Sequence, residues 1–174
     1  AIEGATHILL THGHADHASD AGSIAKKLAI PVVGIPEIVR LLSEGSDIST
    51  IDFNKGGTIH LGKVAVTMVN AVHSSSVGAR YAGTESGYMI AGEGHTIYVS
   101  GDTDVMADMG IFNDLHAPDI GILAAGGHYT MDMKRAAYAA KKFFDFEIVI
   151  PCHYRTFPLL EQSAKALVDA LPGV

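Results

Sequence analysis

Four side chains that can bind a metal lie within six positions near the start of the chain. They are His12, His14, Asp16 and His17, in the pattern H-x-H-x-D-H. Small residues separate them, so the backbone can turn tightly and alternate side chains can converge instead of pointing to opposite faces. Imidazole and carboxylate ligands suit Zn²⁺, Mn²⁺ or Fe, and no thiolate is required. The motif therefore predicts a metal site whose other ligands come from elsewhere in the chain.

Three later residues each follow a strand-like run: His73, Asp102 and His153. Sites built from loops at strand ends are common in α/β proteins. We expect two divalent ions with a shared carboxylate. One ion would be held by His12, His14 and His73, and the second by Asp16, His17 and His153. Asp102 would bridge both.

Each residue taken singly also has a structural interpretation. A lone histidine at a strand end is often structural, and Asp16 or Asp102 could cap a helix that follows it. These interpretations leave the ordered set unexplained. Ser74 and Ser75 are interpreted as loop residues, because the sequence arranges no base for them. Cys152, the only cysteine, is expected to be a small buried hydrophobic residue.

The charge of such a site predicts its chemistry. Two divalent ions, two carboxylates and one hydroxide sum to about +1. Bound metal lowers the pKa of water to roughly 7, so a bridging hydroxide is expected to act as nucleophile on an anionic small molecule. Asp16 and Asp102 are the catalytic carboxylates in this scheme.

Three further residues are candidates for substrate contact. His128, in a Gly-Gly-His-Tyr segment, either donates a hydrogen bond or a proton to the substrate, or is a loop histidine bonded to backbone. Arg155 and Arg80 are candidate anion contacts, with an ordinary surface role as the alternative for Arg80.

Periodicity and turn residues predict the elements that position these groups. Strands are expected at residues 6–10, 31–34, 58–61, 64–69, 87–91, 96–100, 120–124 and 148–151, the last one buried. Helices are expected at residues 21–28, 36–43, 105–115 and 132–144, followed by a terminal amphipathic helix over residues 160–171. Strands alternating with helices around a central antiparallel part predict an α/β layered sandwich.

Length and charge limit the classes of protein. The 174 residues fit one domain over residues 1–174, and the net charge of −7 argues against a nucleic-acid binder. A single cysteine and the absence of a transmembrane-length apolar stretch favour a soluble, cytoplasmic protein without a membrane partner.

The ordered set H-x-H-x-D-H, His, Asp, His resembles the metallo-β-lactamase superfamily over essentially the whole chain. Segments at residues 100–103, 126–131 and 153–158 look closest to the metal-dependent hydrolases related to the L-ascorbate-phosphate lactonases. The resemblance implies a four-layer αββα sandwich with a dinuclear site at the edge between two sheets. It also implies N-terminal strands and a C-terminal closing segment that this sequence does not show. We therefore expect a companion chain that completes the N-terminal strands, and a homo-oligomer is a further option.

The expected function is metal-dependent hydrolysis of a small ester, lactone or phosphoester. The superfamily subgroups best known as β-lactamases use a cysteine where Asp102 stands, and the flavin-linked diiron branch usually carries a carboxylate at the position of His14, so both are disfavoured. Two alternatives stay open: a ribonuclease or phosphodiesterase of the same superfamily, and a non-catalytic binding subunit that retains the fold.

Overall fold

The computed structural model describes residues 2–174 and contains eleven strands and six helices. The strands are β1 (Ile8–Leu9), β2 (Val32–Gly34), β3 (Thr50–Asp52), β4 (Thr58–Leu61), β5 (Val64–Asn70), β6 (Ser76–Val77), β7 (Arg80–Tyr81), β8 (Ser86–Gly92), β9 (His95–Val99), β10 (Ile120–Ala124) and β11 (Ile148–Cys152). The helices are α1 (Ala15–Ala18), α2 (Ala21–Leu28), α3 (Pro36–Ser43), α4 (Asp108–His116), α5 (Met133–Phe143) and α6 (Lys165–Ala170).

Two sheets form the centre of the molecule. The first has three parallel strands in the order β1-β2-β3. The second has six strands in the order β11-β10-β9-β8-β5-β4, parallel from β9 to β11 and antiparallel elsewhere. A short hairpin, β6-β7, stands apart from both. The parallel part needs helical crossovers between its strands, which explains the alternation of helix and strand at both ends of the sequence.

Alternation along the strands of the second sheet separates two apolar cores. On one face Val66, Met68 and Tyr88 pack against residues of the first sheet and of α2 and α3. On the other face Tyr98 and Leu123 pack against α4, α5 and α6. The layers therefore run helices, three-stranded sheet, six-stranded sheet, helices, which confirms the expected α/β class.

Several sequence predictions agree with the structure in their bounds. Helices α2 and α3 and strands β4 and β10 have the predicted limits. Pro36 opens α3 at its first turn, where its missing N–H costs no hydrogen bond. The turn between β8 and β9 has Glu93 and Gly94 at positive φ, as the glycine-rich hairpin requires.

Other predictions were wrong. The strand expected at residues 6–10 spans only Ile8–Leu9 and lies at the edge of its sheet. The strand at residues 148–151 is also an edge strand, with Ile148 and Ile150 about half exposed, so it is not buried. Cys152 at its end is exposed rather than a buried hydrophobic residue. The terminal helix is confined to Lys165–Ala170.

Three elements lacked a sequence signal. Strand β3 and the hairpin β6-β7 are only two or three residues long, too short for a periodic pattern. Helix α1, a single turn, occupies the segment that was expected to be a simple turn. Among residues 2–174, every helix is too short or too polar to span a bilayer.

Candidate metal centre

The H-x-H-x-D-H segment leaves β1 and immediately becomes α1. His12 is buried in the connection, His14 is the N-cap residue, and Asp16 and His17 lie on the helical turn. Gly13 is required by close approach, because a Cβ there would lie 2.8 Å from the Cβ of Ala82. The Gly13 N–H donates to Ser75 Oγ at 3.1 Å, which ties the loop to the segment after β5.

The other three residues come from the ends of three strands of the second sheet. His73 follows β5, Asp102 follows β9 and His153 follows β11. Gly101 has φ +60° and lies so close to Ser86 that a Cβ would be 2.5 Å from its carbonyl oxygen. His153 itself has φ 60°, a left-handed conformation that is uncommon for a residue with a side chain. Such a conformation persists only where the surrounding structure imposes it.

Asp102 lies at the centre of the group. Its Oδ2 is 3.2 Å from His153 Nε2 and 3.4 Å from His17 Nε2. The same oxygen is 3.7 Å from His73 Nε2 and 3.8 Å from His12 Nε2. One buried carboxylate oxygen therefore faces four imidazole nitrogens that come from three different segments of the chain.

The seven predicted residues converge into overlapping triads, each with its donor atoms within 4.8 Å of one another. The triads are His12, His14, His73; His12, His17, Asp102; and Asp16, His17, His153. The first and last match the two sets expected from the sequence, and Asp102 lies between them. Within them, His14 Nδ1 is 3.1 Å from His12 Nε2 and 3.3 Å from His73 Nε2, and Asp16 Oδ2 is 3.3 Å from His153 Nε2.

Burial and charge set the protonation of the group. Burial, followed by the adjacent His17, lowers the pKa of His12 to about 3, and burial also lowers the pKa of His73. Both rings are therefore neutral at pH 7 and have a lone pair available. Burial opposes ionisation of Asp102, but the neighbouring His153 and His17 outweigh it and hold its pKa below the usual value. The hydrogen bond with Asp102 raises the pKa of His153.

One observation that does not depend on the sequence motif also indicates that this group of side chains can hold a divalent cation. His17 Nε2 is buried and makes no well-aligned hydrogen bond within the described part of the chain, although carboxylate oxygens of Asp16 and Asp102 lie 3.2 and 3.4 Å away. An unpaired buried polar atom costs about 1–3 kcal/mol, so such atoms are rare in folded proteins. A cation between His17, Asp16 and Asp102 would satisfy this nitrogen and neutralise the two carboxylates.

Supporting residues hold the group in place, and two of them, Thr11 and Glu85, were not predicted from the sequence. Thr11 Oγ1 contacts His12 Nδ1 at 3.0 Å, and Glu85 Oε1 accepts the backbone N–H of His73 at 2.9 Å. Ser75 Oγ donates to the carbonyl of Ala82 at 3.3 Å while it accepts from Gly13. Partners of this kind orient metal ligands and often affect affinity as ligands do. Ser75 is thus a loop-tethering residue, as interpreted, and Ser74 Oγ lies 3.4 Å from His14 Nε2.

The structure does not bring the three predicted substrate residues into this group. His128 is exposed, has φ 49° and borders a separate cleft with Asp132 and Glu161. Arg80 is exposed on β7 and its guanidinium pairs with Glu44, at 2.8 Å for Nη2 and Oε1. Arg155 is exposed and lines neither of the two clefts described next.

Two clefts open onto six of the seven residues, all except the buried His12. The larger, about 460 Å³, is lined by five of them: His14, Asp16, His73, Asp102 and His153. Its remaining walls are Ala15, Ser74, Tyr129 and Phe157. The smaller, about 360 Å³, shares Phe157 and adds Thr11, Val99, Cys152 and Thr156. Tyr129 and Phe157 were not predicted from the sequence to line a cleft.

Comparison with known proteins agrees with this fold. The family profile described as "Beta-lactamase superfamily domain" matches residues 1–154. A protein of Dinoroseobacter shibae named UPF0173 metal-dependent hydrolase is 65% identical over 99% of this chain and 77% of its own length. A protein of the same name from Paracoccus denitrificans is 64% identical over 100% of this chain and 77% of its own length.

Solved structures show the same architecture. Igni18, a metallo hydrolase from Ignicoccus hospitalis, is 31% identical, with a TM-score of 0.85 over 94% of this chain and 70% of its own. Zn(2+)-bound PqqB from Methylobacterium extorquens shares the fold with a TM-score of 0.70 at 17% identity, over 95% of this chain and 68% of its own. The chain belongs to the metallo-β-lactamase superfamily and, within it, to the UPF0173 metal-dependent hydrolase family. It is a metal-dependent hydrolase.

Proposed function

We propose that the chain hydrolyses a small ester, lactone or phosphoester at a dinuclear centre formed by its seven histidine and aspartate residues. The observation that carries the proposal is the position of Asp102, whose single oxygen lies 3.2–3.8 Å from nitrogens of both histidine sets. A carboxylate in that position neutralises two cations at once, and its ionised state is favoured by the surrounding imidazoles. Zn²⁺ suits this donor set best, with Mn²⁺ or Fe as alternatives.

Two divalent ions held there supply Lewis acidity and a hydroxide nucleophile at neutral pH, because bound metal lowers the pKa of water to roughly 7. The residues of the chain have separate tasks. His12, His14 and His73 would hold one cation, and Asp16, His17 and His153 would hold the other. The clefts bring substrate to the base formed by His14, Asp102 and His153. The leaving oxygen must gain a proton as its bond breaks, and Asp16, which is about half exposed, can pass one to it from solvent.

The expected preference for an anionic substrate has less support than the site itself. It relied partly on arginine contacts, and Arg80 pairs with Glu44 outside the clefts. What remains is the charge of the loaded centre, about +1 when two cations, two carboxylates and a hydroxide are summed. We therefore propose that an anionic group binds at the dinuclear metal centre and not at the other residues that line the clefts.

The proposal is tested by metal analysis together with a substrate panel. The purified chain, loaded with Zn²⁺ or Mn²⁺ and dialysed, is expected to retain two metal equivalents by inductively coupled plasma mass spectrometry. It is then assayed against aryl esters, lactones, phosphodiesters, thioesters and a short RNA. One equivalent or none would contradict the dinuclear centre, and hydrolysis restricted to RNA would favour the ribonuclease alternative.

A further inference from the structure

The walls above the metal centre are apolar and carry no fixed positive charge. In the larger cleft the residues that are not candidate ligands are Ala15, Ser74, Tyr129 and Phe157. Within residues 2–174 no lysine or arginine lines either cleft. Enzymes that hold a remote carboxylate or phosphate commonly do so with arginine or lysine, since charge-assisted hydrogen bonds are strong and directional. This cleft has no such group.

Two aromatic side chains are instead exposed at the cleft. Tyr129 is 56% exposed and Phe157 is 57% exposed. Exposed apolar surface costs about 25 cal/mol per Å² relative to burial, so an aromatic ring that faces water beside a reactive centre is available to a ligand. Pockets for small molecules are typically lined by such side chains with a few polar groups at the base.

The backbone of Tyr129 is fixed before any ligand binds. It lies in a tight turn in which Gly127 N–H donates to Met131 at 2.8 Å and Thr130 N–H donates to Gly127 at 3.2 Å. The turn follows a segment that packs closely on the backbone of a candidate ligand, because a Cβ on Gly126 would lie 2.0 Å from the carbonyl oxygen of His153. The backbone of Tyr129 is therefore anchored beside the loop that carries His153.

The loop of Phe157 is fixed in a similar way. The carbonyl of Phe157 accepts from Leu160 N–H at 3.1 Å and from Gln162 Nε2 at 2.8 Å. The two loops are joined, because Glu161 N–H donates to the carbonyl of Gly126 at 2.8 Å. Both rings thus belong to one hydrogen-bonded unit, and a ligand that packs on them pays little to order the loops.

We infer that Tyr129 and Phe157 determine substrate specificity, and that they bind an uncharged, apolar and planar part of the substrate, such as an aryl group, next to the bond that is cleaved. The inference rests on the proposed function and names its substrate class. The charged or polar reacting group faces the histidine and aspartate base of the cleft, and the apolar group lies between the two aromatic walls.

The test compares hydroxamates, which chelate metal through one shared group and differ only in the attached part. Binding of benzohydroxamate, acetohydroxamate and succinohydroxamate is measured by calorimetry on the zinc-loaded chain. We expect benzohydroxamate to bind roughly tenfold more tightly than acetohydroxamate, from burial of the ring and its contacts with aromatic walls. In Tyr129→Ala and in Phe157→Ala this ratio is expected to fall about threefold or more.

Tyr138→Ala and Leu159→Ala are the matched controls. Tyr138 has the same 57% exposure but lies on α5, and Leu159 is in the loop of Phe157 but outside both clefts. Both are expected to keep the wild-type ratio. Three results would overturn the inference. They are a benzohydroxamate-to-acetohydroxamate affinity ratio near one in the wild type, a ratio unchanged in both cleft variants, and tighter binding of succinohydroxamate than of benzohydroxamate.

A second measurement distinguishes failure of the proposed dinuclear centre from failure of the inference about Tyr129 and Phe157. Metal content of each preparation reports on the proposed function alone. Saturation transfer from the protein to ethyl benzoate needs no bound metal, and it is expected in the wild type and to be weakened in Tyr129→Ala and Phe157→Ala. Loss of metal with retained transfer would contradict only the proposed function, whereas full metal content without transfer would overturn this inference.

Discussion

Asp102 is the residue on which both halves of the proposed centre depend. It is only 4% exposed, and its Oδ2 lies within 3.8 Å of imidazole nitrogens from both expected ligand sets. Asp102→Ala is expected to remove both metals and to reduce hydrolysis by more than the roughly 10–100-fold typical of outer-shell changes. Metal content and turnover on the best panel substrate measure the effect.

Asp104→Ala is the control for that substitution. Asp104 is two positions along and pairs on the surface with Arg135 at 2.6 Å. Exposed pairs contribute about 0–1 kcal/mol, so this variant should keep its metal and its turnover. Equal losses of metal and of turnover in the two variants would mean that both depend on the structure of the segment after β9 and not on the Asp102 carboxylate.

His128 is the residue for which sequence and geometry differ most. Its ring contacts Tyr129 edge to face at 4.5 Å between centroids and borders the separate cleft. We expect His128→Asn to keep its metal and to change turnover by less than about threefold, because asparagine tolerates a left-handed backbone. A large loss of turnover with full metal content would instead support the proton donor expected from the sequence.

At the scale of elements, the centre depends on close contact between strand ends. Gly126, after β10, has no room for a Cβ because of the His153 carbonyl. Gly126→Ala should therefore displace the loop after β11, destabilise the fold by about 1–3 kcal/mol and weaken metal binding roughly 10–100-fold. Denaturant unfolding of the metal-free chain and metal titration measure the two effects separately.

Gly22→Ala is a matched glycine replacement. Gly22 lies in α2 with open space around the position of a Cβ. Because glycine is a poor helix former, this variant should be more stable by about 0.5 kcal/mol and bind metal normally. A loss of metal in Gly22→Ala as well would show that the assay reports general instability.

The elements that can be predicted well from the sequence are those whose limits are set by neighbouring residues in the chain. Helix α3 has a proline start and an amphipathic pattern, and the hairpin of β8 and β9 has its glycine turn. Strand β11 was expected to be buried because its residues are apolar, but periodicity cannot tell an edge strand from a central one. The candidate metal ligands could be predicted because they form a spaced motif and follow strand-like runs of the sequence. Tyr129 and Phe157 could not, since their role depends on which loops meet in space.

At the scale of the whole molecule, one face of the second sheet is incompletely covered. The strand register places five isoleucines on the side that faces the first sheet: Ile97, Ile120, Ile122, Ile148 and Ile150. At the β11 end Ile148 and Ile150 remain 49% and 47% exposed. Contiguous exposed apolar surface of this kind marks an interaction site. We propose that the expected companion chain covers this face and supplies further strands.

Native mass spectrometry of the purified protein tests for such a companion. Ile150→Lys is expected to weaken its association, whereas Val168→Lys on α6, at a position 62% exposed, should not. A monomer with the mass of this chain alone, folded and active, would contradict the proposal.

The two sheets also meet at the metal centre, and each proposed ion takes ligands from both. His14 and His73, which would share one ion, are 59 residues apart, and His17 and His153 span most of the chain. Each ion is then a removable cross-link, comparable in chain entropy to a disulfide that closes a long loop and worth several kcal/mol, about 4–5 for a loop of 100 residues. A chelator would therefore act as a reducing agent does on a disulfide protein. Hydrogen exchange in β1 and α1 should rise on chelation before the helices on the far side of the second sheet loosen.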